Sequence, residues 1–182
     1  MVMTKWLLIN VALAAMLFSY SGCKNNSSDG NYNQMDQEKL KEKLVRANKE
    51  YYANENNTID DYVTRLGYNM QKTQRGVRYY IFNKTNGELI KNKQRVEVKY
   101  VAKLLDGTLC YTSDSTGNLE FEMGKTDLPV GLQEGLMQMS KGEKALLISP
   151  SNLGYGLTGD GAAIPPNAVL VYEVEVVRVK SN

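Results

Sequence analysis

The stretch Gly131–Lys180, GLQEGLMQMSKGEKALLISPSNLGYGLTGDGAAIPPNAVLVYEVEVVRVK, constrains this chain more than any other. Leu132, Leu136 and Met139 recur at i, i+4 and i+7, which predicts a short amphipathic helix over 131–139. Lys141-Gly142 ends it, because glycine takes up the left-handed C-cap most easily. Ala145–Ile148 is a brief apolar run stopped by Pro150, as a buried strand would be. Val169–Val179 alternates Val, Leu and Tyr with Glu and Arg, the pattern of a half-buried antiparallel strand. Between these strands lies Ser149–Ala168, with Gly154, Gly156, Gly159 and Gly161 and with Pro150, Pro165 and Pro166. A connection of that length without periodicity is either functional or disordered. Tyr155 and Ile164 inside it point to a packed, functional loop, although composition alone fits a surface excursion with a buried anchor equally well.

The order of the residues here carries a resemblance. Gly131-Leu132-x-Glu134-Gly135, Met139-x-x-Gly142, Ile148-Ser149-Pro150, Tyr155-Gly156, Gly159 and Ile164-Pro165-Pro166-x-Ala168-x-Leu170-x-Tyr172 follow one another without a gap. In this the block resembles the C-terminal half of an FKBP-type peptidyl-prolyl cis-trans isomerase domain. The likeness weakens from Gly131 back towards Arg95.

Composition narrows the remaining choices. A hydrophobic content of 42% over 182 residues allows one core plus an extension, and a net charge of +2 is too mild to suggest nucleic acid. There is no histidine, which rules out Ser-His-Asp and Cys-His mechanisms and any His-ligated metal site. No cofactor is called for.

Residues 1–22 read as a signal peptide: Lys5 is the positive end, Trp6–Phe18 the apolar core, and Ser21-Gly22 the small residues before Cys23. Small residues followed at once by Cys resemble a bacterial lipobox in which Cys23 is lipidated, with Tyr20 departing from the usual Leu. A plain secretory signal with a chance cysteine is the alternative. Residues 23–35, polar and rich in Asn and Ser, read as a flexible tether. With Cys23 carrying lipid, Cys110 has no disulfide partner and is expected as a buried small hydrophobe.

Residues 36–75 read as two helices. Leu40, Leu44, Ala47 and Tyr51 form one stripe, Asn54–Asn57 breaks it, and Thr58-Ile59-Asp60-Asp61 opens a second helix as a capping box. Ile59, Tyr62, Val63 and Leu66 are its stripe, and Gly67 its end. Packing onto the C-terminal domain is the favoured role, and homodimer formation or partner docking the alternative. From Gly76 strands dominate: Gly76–Phe82, a turn ending at Asn86-Gly87, Arg95–Leu105, a hairpin at Asp106-Gly107, Thr108–Ser113 and Leu119–Met123. The expected fold is α+β, a curled antiparallel sheet wrapped around a short helix over 76–182, with an N-terminal helical extension. The resemblance implies the same architecture.

The resemblance also implies a pocket. Tyr100, Tyr111, Tyr155, Ile164 and Tyr172 stand at its catalytic positions, and Cys110, Leu119, Leu128, Pro129 and Leu132 at its substrate-binding positions. Tyr172 occurs where Phe is commoner, and Leu128 is a conservative change. Cys110-Tyr111 stands where the family usually has Phe-Asp, so a carboxylate that pairs with Tyr100 is missing there. Leu119 replaces an aromatic wall and Leu132 a Trp floor. Pro129 falls where the family's ligands accept a main-chain N–H, which proline lacks. The implied activity is prolyl isomerisation of proline-containing clients in the cell envelope, lipid-anchored in the periplasm or outer membrane of a Gram-negative bacterium. These departures suggest reduced catalysis, with an ordinary rate as the alternative if Tyr111 simply fills the space of the Asp. A non-catalytic chaperone using the same pocket is the second reading, and an inert surface lipoprotein the third. At the level of architecture the chain also resembles the gliding-motility-associated isomerase lipoproteins of Bacteroidetes.

Overall fold

The computed structural model describes residues 29–181, so residues 1–22, read above as a signal peptide, and Cys23 lie outside the described residues. Helix α1 runs unbroken from Asp29 to Leu66. Seven antiparallel strands follow: β1 (Gln71–Lys72), β2 (Arg78–Ile81), β3 (Arg95–Leu104), β4 (Leu109–Thr112), β5 (Leu119–Glu122), β6 (Lys144–Ser149) and β7 (Leu170–Lys180). A single helical turn, α2 (Ser113–Thr116), separates β4 from β5, and α3 (Val130–Leu136) precedes β6. The sheet order is β1-β2-β6-β7-β3-β4, with β5 also on β3. This is an α+β fold with an open antiparallel sheet.

Binary patterning accounts for the strands. On β3 the even positions Val96, Val98 and Ala102 are buried in the core that also holds Leu132 and Leu136 of α3. The middle strands are apolar on both faces for a reason: Ala145 and Leu147 face that core, while Leu146 and Ile148 join Val169, Val171 and Ile59 of α1 in a second one. Tyr62, Val63 and Leu66 pack against this second cluster, as their stripe predicts.

The chain divides into two compact units after Asn48. In the first, Leu40 and Leu44 are each 57% exposed, so that stripe faces solvent. In the second, the sheet already starts at Gln71.

Three expectations need correction. The helix begins at Asp29, inside the stretch read as a tether. Asn54–Asn57 does not break it, because tertiary partners hold its polar side chains. Asn56 donates to the Tyr52 carbonyl and accepts from Arg78, and Glu55 accepts from the Ser151 amide at 3.0 Å. Each Asn costs under about 0.7 kcal/mol of propensity against Ala, which such bonds outweigh. Thr58 therefore caps nothing; its hydroxyl donates back to the Asn54 carbonyl at 3.0 Å. Finally, α3 ends at Leu136. Gln138 and Met139 bond three residues back, to Gly135 and Leu136, a tightened turn that still buries Met139 fully. Gly142 belongs to the turn into β6, its amide on the Val176 carbonyl at 2.8 Å.

Helix α3 lies unusually close to β6. A Cβ on Gly131 would stand 1.9 Å from Ser149 Oγ, and one on Gly135 2.6 Å from Leu147 Cδ1. Gly135→Ala should therefore destabilise the fold by about 1–3 kcal/mol through overpacking, despite alanine's better helix propensity. Urea unfolding checks this, and an unchanged midpoint would refute the close approach.

Candidate functional site

β4 and β5 pair with the same edge of β3 at different ends, β4 at Val101–Lys103 and β5 at Arg95–Val98. Tyr100 falls in the gap, and its amide donates to the Ser113 hydroxyl at 3.2 Å instead of to a strand. That gap opens a cavity of about 280 Å³. Tyr100 and Ala102 of β3, Tyr111 of β4 and Tyr172 of β7 form its sheet wall. Leu132 of α3 with Leu128 and Pro129 before it form a second side. Tyr155 and Ile164 enter from the long loop, and Leu119 and Thr116 close the edge.

Nine of the ten residues expected in a pocket thus meet in one cavity. Cys110 does not. Ala102 pairs with Tyr111 and Lys103 with Leu109, so Cys110 is the extra residue of a β-bulge; it packs against the core without lining the cavity. Pro129 immediately precedes α3, offering no N–H towards the cavity. Ala102 and Thr116 were not anticipated. Ala102 was visible only as one of the alternating positions of β3, and Thr116 had no local signal.

The polar groups are few. The Tyr100 hydroxyl meets Thr116 Oγ1 at 3.1 Å. Tyr111 donates its hydroxyl to Asp160, whose other oxygen accepts the amides of Ala162 at 2.9 Å and Ile164 at 2.8 Å. A carboxylate therefore reaches Tyr111 from the loop, although none stands at position 111 itself. Asp160 lies between Gly159 and Gly161 and reads in sequence only as a turn residue. Gly159 is held at φ 68°, with the Ile164 carbonyl 2.3 Å from where a Cβ would sit, so the loop folds tightly on itself here. The hydroxyls of Tyr155 and Tyr172 have no hydrogen-bond partner among the described residues, and Tyr172 is only 3% exposed.

Titration follows these contacts. The bond from Tyr111 holds the Asp160 carboxyl below its usual range, and the same bond raises Tyr111. Burial, then the Asp160 charge, raises Tyr155. Burial pushes Tyr172 far above an ordinary phenol, and pushes Cys110 up with help from Asp160 and Asp106. A larger hollow of about 540 Å³ lies between Tyr51–Thr58 of α1 and Pro165–Val169, but Tyr51 is the one tyrosine in its lining.

Residues 86–177 match the sequence profile of the family described as FKBP-type peptidyl-prolyl cis-trans isomerase. A probable FKBP-type isomerase of Haemophilus influenzae is 37% identical over 114 residues, 62% of this chain and 46% of that protein. The FKBP-type 22 kDa isomerase of Escherichia coli is 36% identical over 111 residues, 60% of this chain and 53% of that protein. The chain thus spans about half the length of these relatives. The crystal structure of FkpA from Escherichia coli superposes with a TM-score of 0.61 at 25% identity, covering 98% of this chain and 82% of that one. The matched residues include every wall of the cavity, and this chain belongs to the FKBP-type peptidyl-prolyl cis-trans isomerase family.

Proposed function

We propose that this protein is a peptidyl-prolyl cis-trans isomerase that assists the folding of exported or envelope proteins, with the cavity as its active site. The observation that carries this is the convergence of Tyr100, Tyr111, Tyr155 and Tyr172 with Leu, Ile and Pro side chains in one small cavity. An Xaa–Pro amide rotates over a barrier of about 20 kcal/mol because its resonance is lost on twisting, and uncatalysed it takes about tens to hundreds of seconds. The twisted amide has less charge separation than the planar one, so an apolar enclosure favours it. Free hydroxyls from Tyr155 and Tyr172 then bind the carbonyls that flank the rotating bond or the nitrogen that becomes pyramidal. Neither a nucleophile nor a metal takes part. A protease-coupled assay on a short Xaa-Pro peptide tests this: acceleration over the uncatalysed rate is expected, and none from well-folded protein would overturn it.

The rate should be flat from about pH 5 to pH 8.5. Asp160 loses its proton below the usual carboxylate range, while Tyr111, Tyr155, Tyr172 and Cys110 keep theirs above their ordinary values. There is no histidine to titrate between. A bell-shaped profile centred near pH 7 would show that a group outside this set takes part.

Residues 1–22 act as a signal peptide and Cys23 as the lipid-bearing N-terminus, holding the protein at the cell envelope. Among the described residues no helix is long and apolar enough to cross a membrane, so an anchor at Cys23 would supply the attachment. A place among gliding-motility-associated isomerase lipoproteins fits this architecture. The exposed Leu40, Leu44 and Val45 of α1 favour a second reading, in which this helix face binds a second copy of the chain or holds clients without catalysis.

A further inference from the structure

The side chains lining the cavity include no lysine, arginine, aspartate or glutamate. One carboxylate is hydrogen-bonded to that lining from behind, Asp160. Its carboxylate is fixed by three donors, the Tyr111 hydroxyl and the amides of Ala162 and Ile164, and two of these three residues line the cavity. Hydrogen bonds of this kind immobilise a carboxylate and keep it ionised without cancelling its charge. No lysine or arginine forms an ion pair with Asp160 among the described residues. Burial first and the Asp160 charge second raise Cys110 and Tyr155, with Asp106 adding to Cys110, and the hydrogen bond to Asp160 raises Tyr111.

We infer that Asp160 determines substrate choice, giving the cavity a preference for prolines flanked by lysine or arginine over prolines flanked by aspartate or glutamate. The inference rests on the isomerase reading for its kinetic form, but the charge preference applies to binding as well. An unpaired charge beside an apolar cavity is weakly screened on its inner side, so it acts on a flanking side chain of either sign.

The test uses three peptides that differ only in the residue before proline (Lys, Gln or Glu) and a second set varied after it. At low ionic strength kcat/KM for the Lys peptide should exceed that for the Glu peptide by about three- to tenfold, and the ratio should shrink as salt is raised. In Asp160→Asn the ratio should fall towards one. Asparagine retains an acceptor for the two loop amides and a polar partner for Tyr111, but carries no charge. Tyr111→Phe removes the hydroxyl and leaves the charge, so it should keep the preference. Each variant is normalised to its own rate on the Gln peptide, so a general loss of activity does not enter the comparison. Equal rates on Lys and Glu peptides in the wild type, or a ratio that survives Asp160→Asn, would overturn the inference. Should no peptide be accelerated, the isomerase reading is what fails. Calorimetric binding of the same peptides then decides the charge preference by the same criteria.

Discussion

Tyr155→Ala is expected to lower kcat/KM for a short Xaa-Pro peptide by about a hundredfold, the scale seen when a donor aimed at a reacting amide is removed. Tyr172→Phe is expected to lower it by about tenfold, one net hydrogen bond. The Tyr172 ring is buried, but its hydroxyl, without a hydrogen-bond partner among the described residues, is not itself closed off and faces the cavity. Tyr172→Phe should therefore leave stability within about 0.5 kcal/mol of the wild type while activity falls. Thermal unfolding and the coupled assay on the same samples check this. Loss of stability in Tyr172→Phe, or full activity in Tyr155→Ala, would refute the roles given to these hydroxyls.

The second large effect is expected on stability, far from the cavity. Arg78 of β2 is 2% exposed, and its guanidinium serves the side of α1. It donates to Asp60 Oδ1 from two nitrogens, at 2.9 and 2.6 Å, to Asn56 Oδ1 at 2.8 Å and to the Gly76 carbonyl at 2.6 Å. Asp60 is the only anion in that set and is itself 57% exposed. Asp60→Ala should therefore cost about 3 kcal/mol, because a buried cation is left without its counter-charge. Arg78→Ala should cost at least as much, since it also leaves the Gly76 carbonyl unpaired and opens a void. If urea unfolding places Asp60→Ala within about 0.5 kcal/mol of the wild type, as for an ordinary surface ion pair, the buried guanidinium is not what joins α1 to the sheet.

These two regions show where the sequence could be read and where it could not. The strands were legible because their signal is local. Val96 to Tyr100 alternates, and Ala145–Ile148 is uniformly apolar because both faces of β6 are covered. The cavity was legible through the resemblance, which placed nine of its eleven lining residues. What stayed hidden depends on partners distant in sequence. Asn56 looks like a helix breaker until Arg78, 22 residues on, takes its side chain. Asp160 looks like a turn residue until Tyr111, 49 residues back, donates to it. In the same way, a missing carboxylate at position 111 could be inferred from sequence, whereas its arrival from the opposite wall required the fold.

The glycines of α3 have a thermodynamic consequence for ligand capture. Gly131 and Gly135 bracket Leu132, and each is pressed against a side chain of β6. The helix can neither slide nor roll without collision, so the cavity floor is already in its bound geometry before a ligand arrives. Ordering entropy on association therefore falls mainly on the guest, not on the floor. Affinity for different proline-containing chains should then vary mainly with how rigid each guest is when free, and pre-constrained turns should bind more tightly than flexible peptides of the same composition.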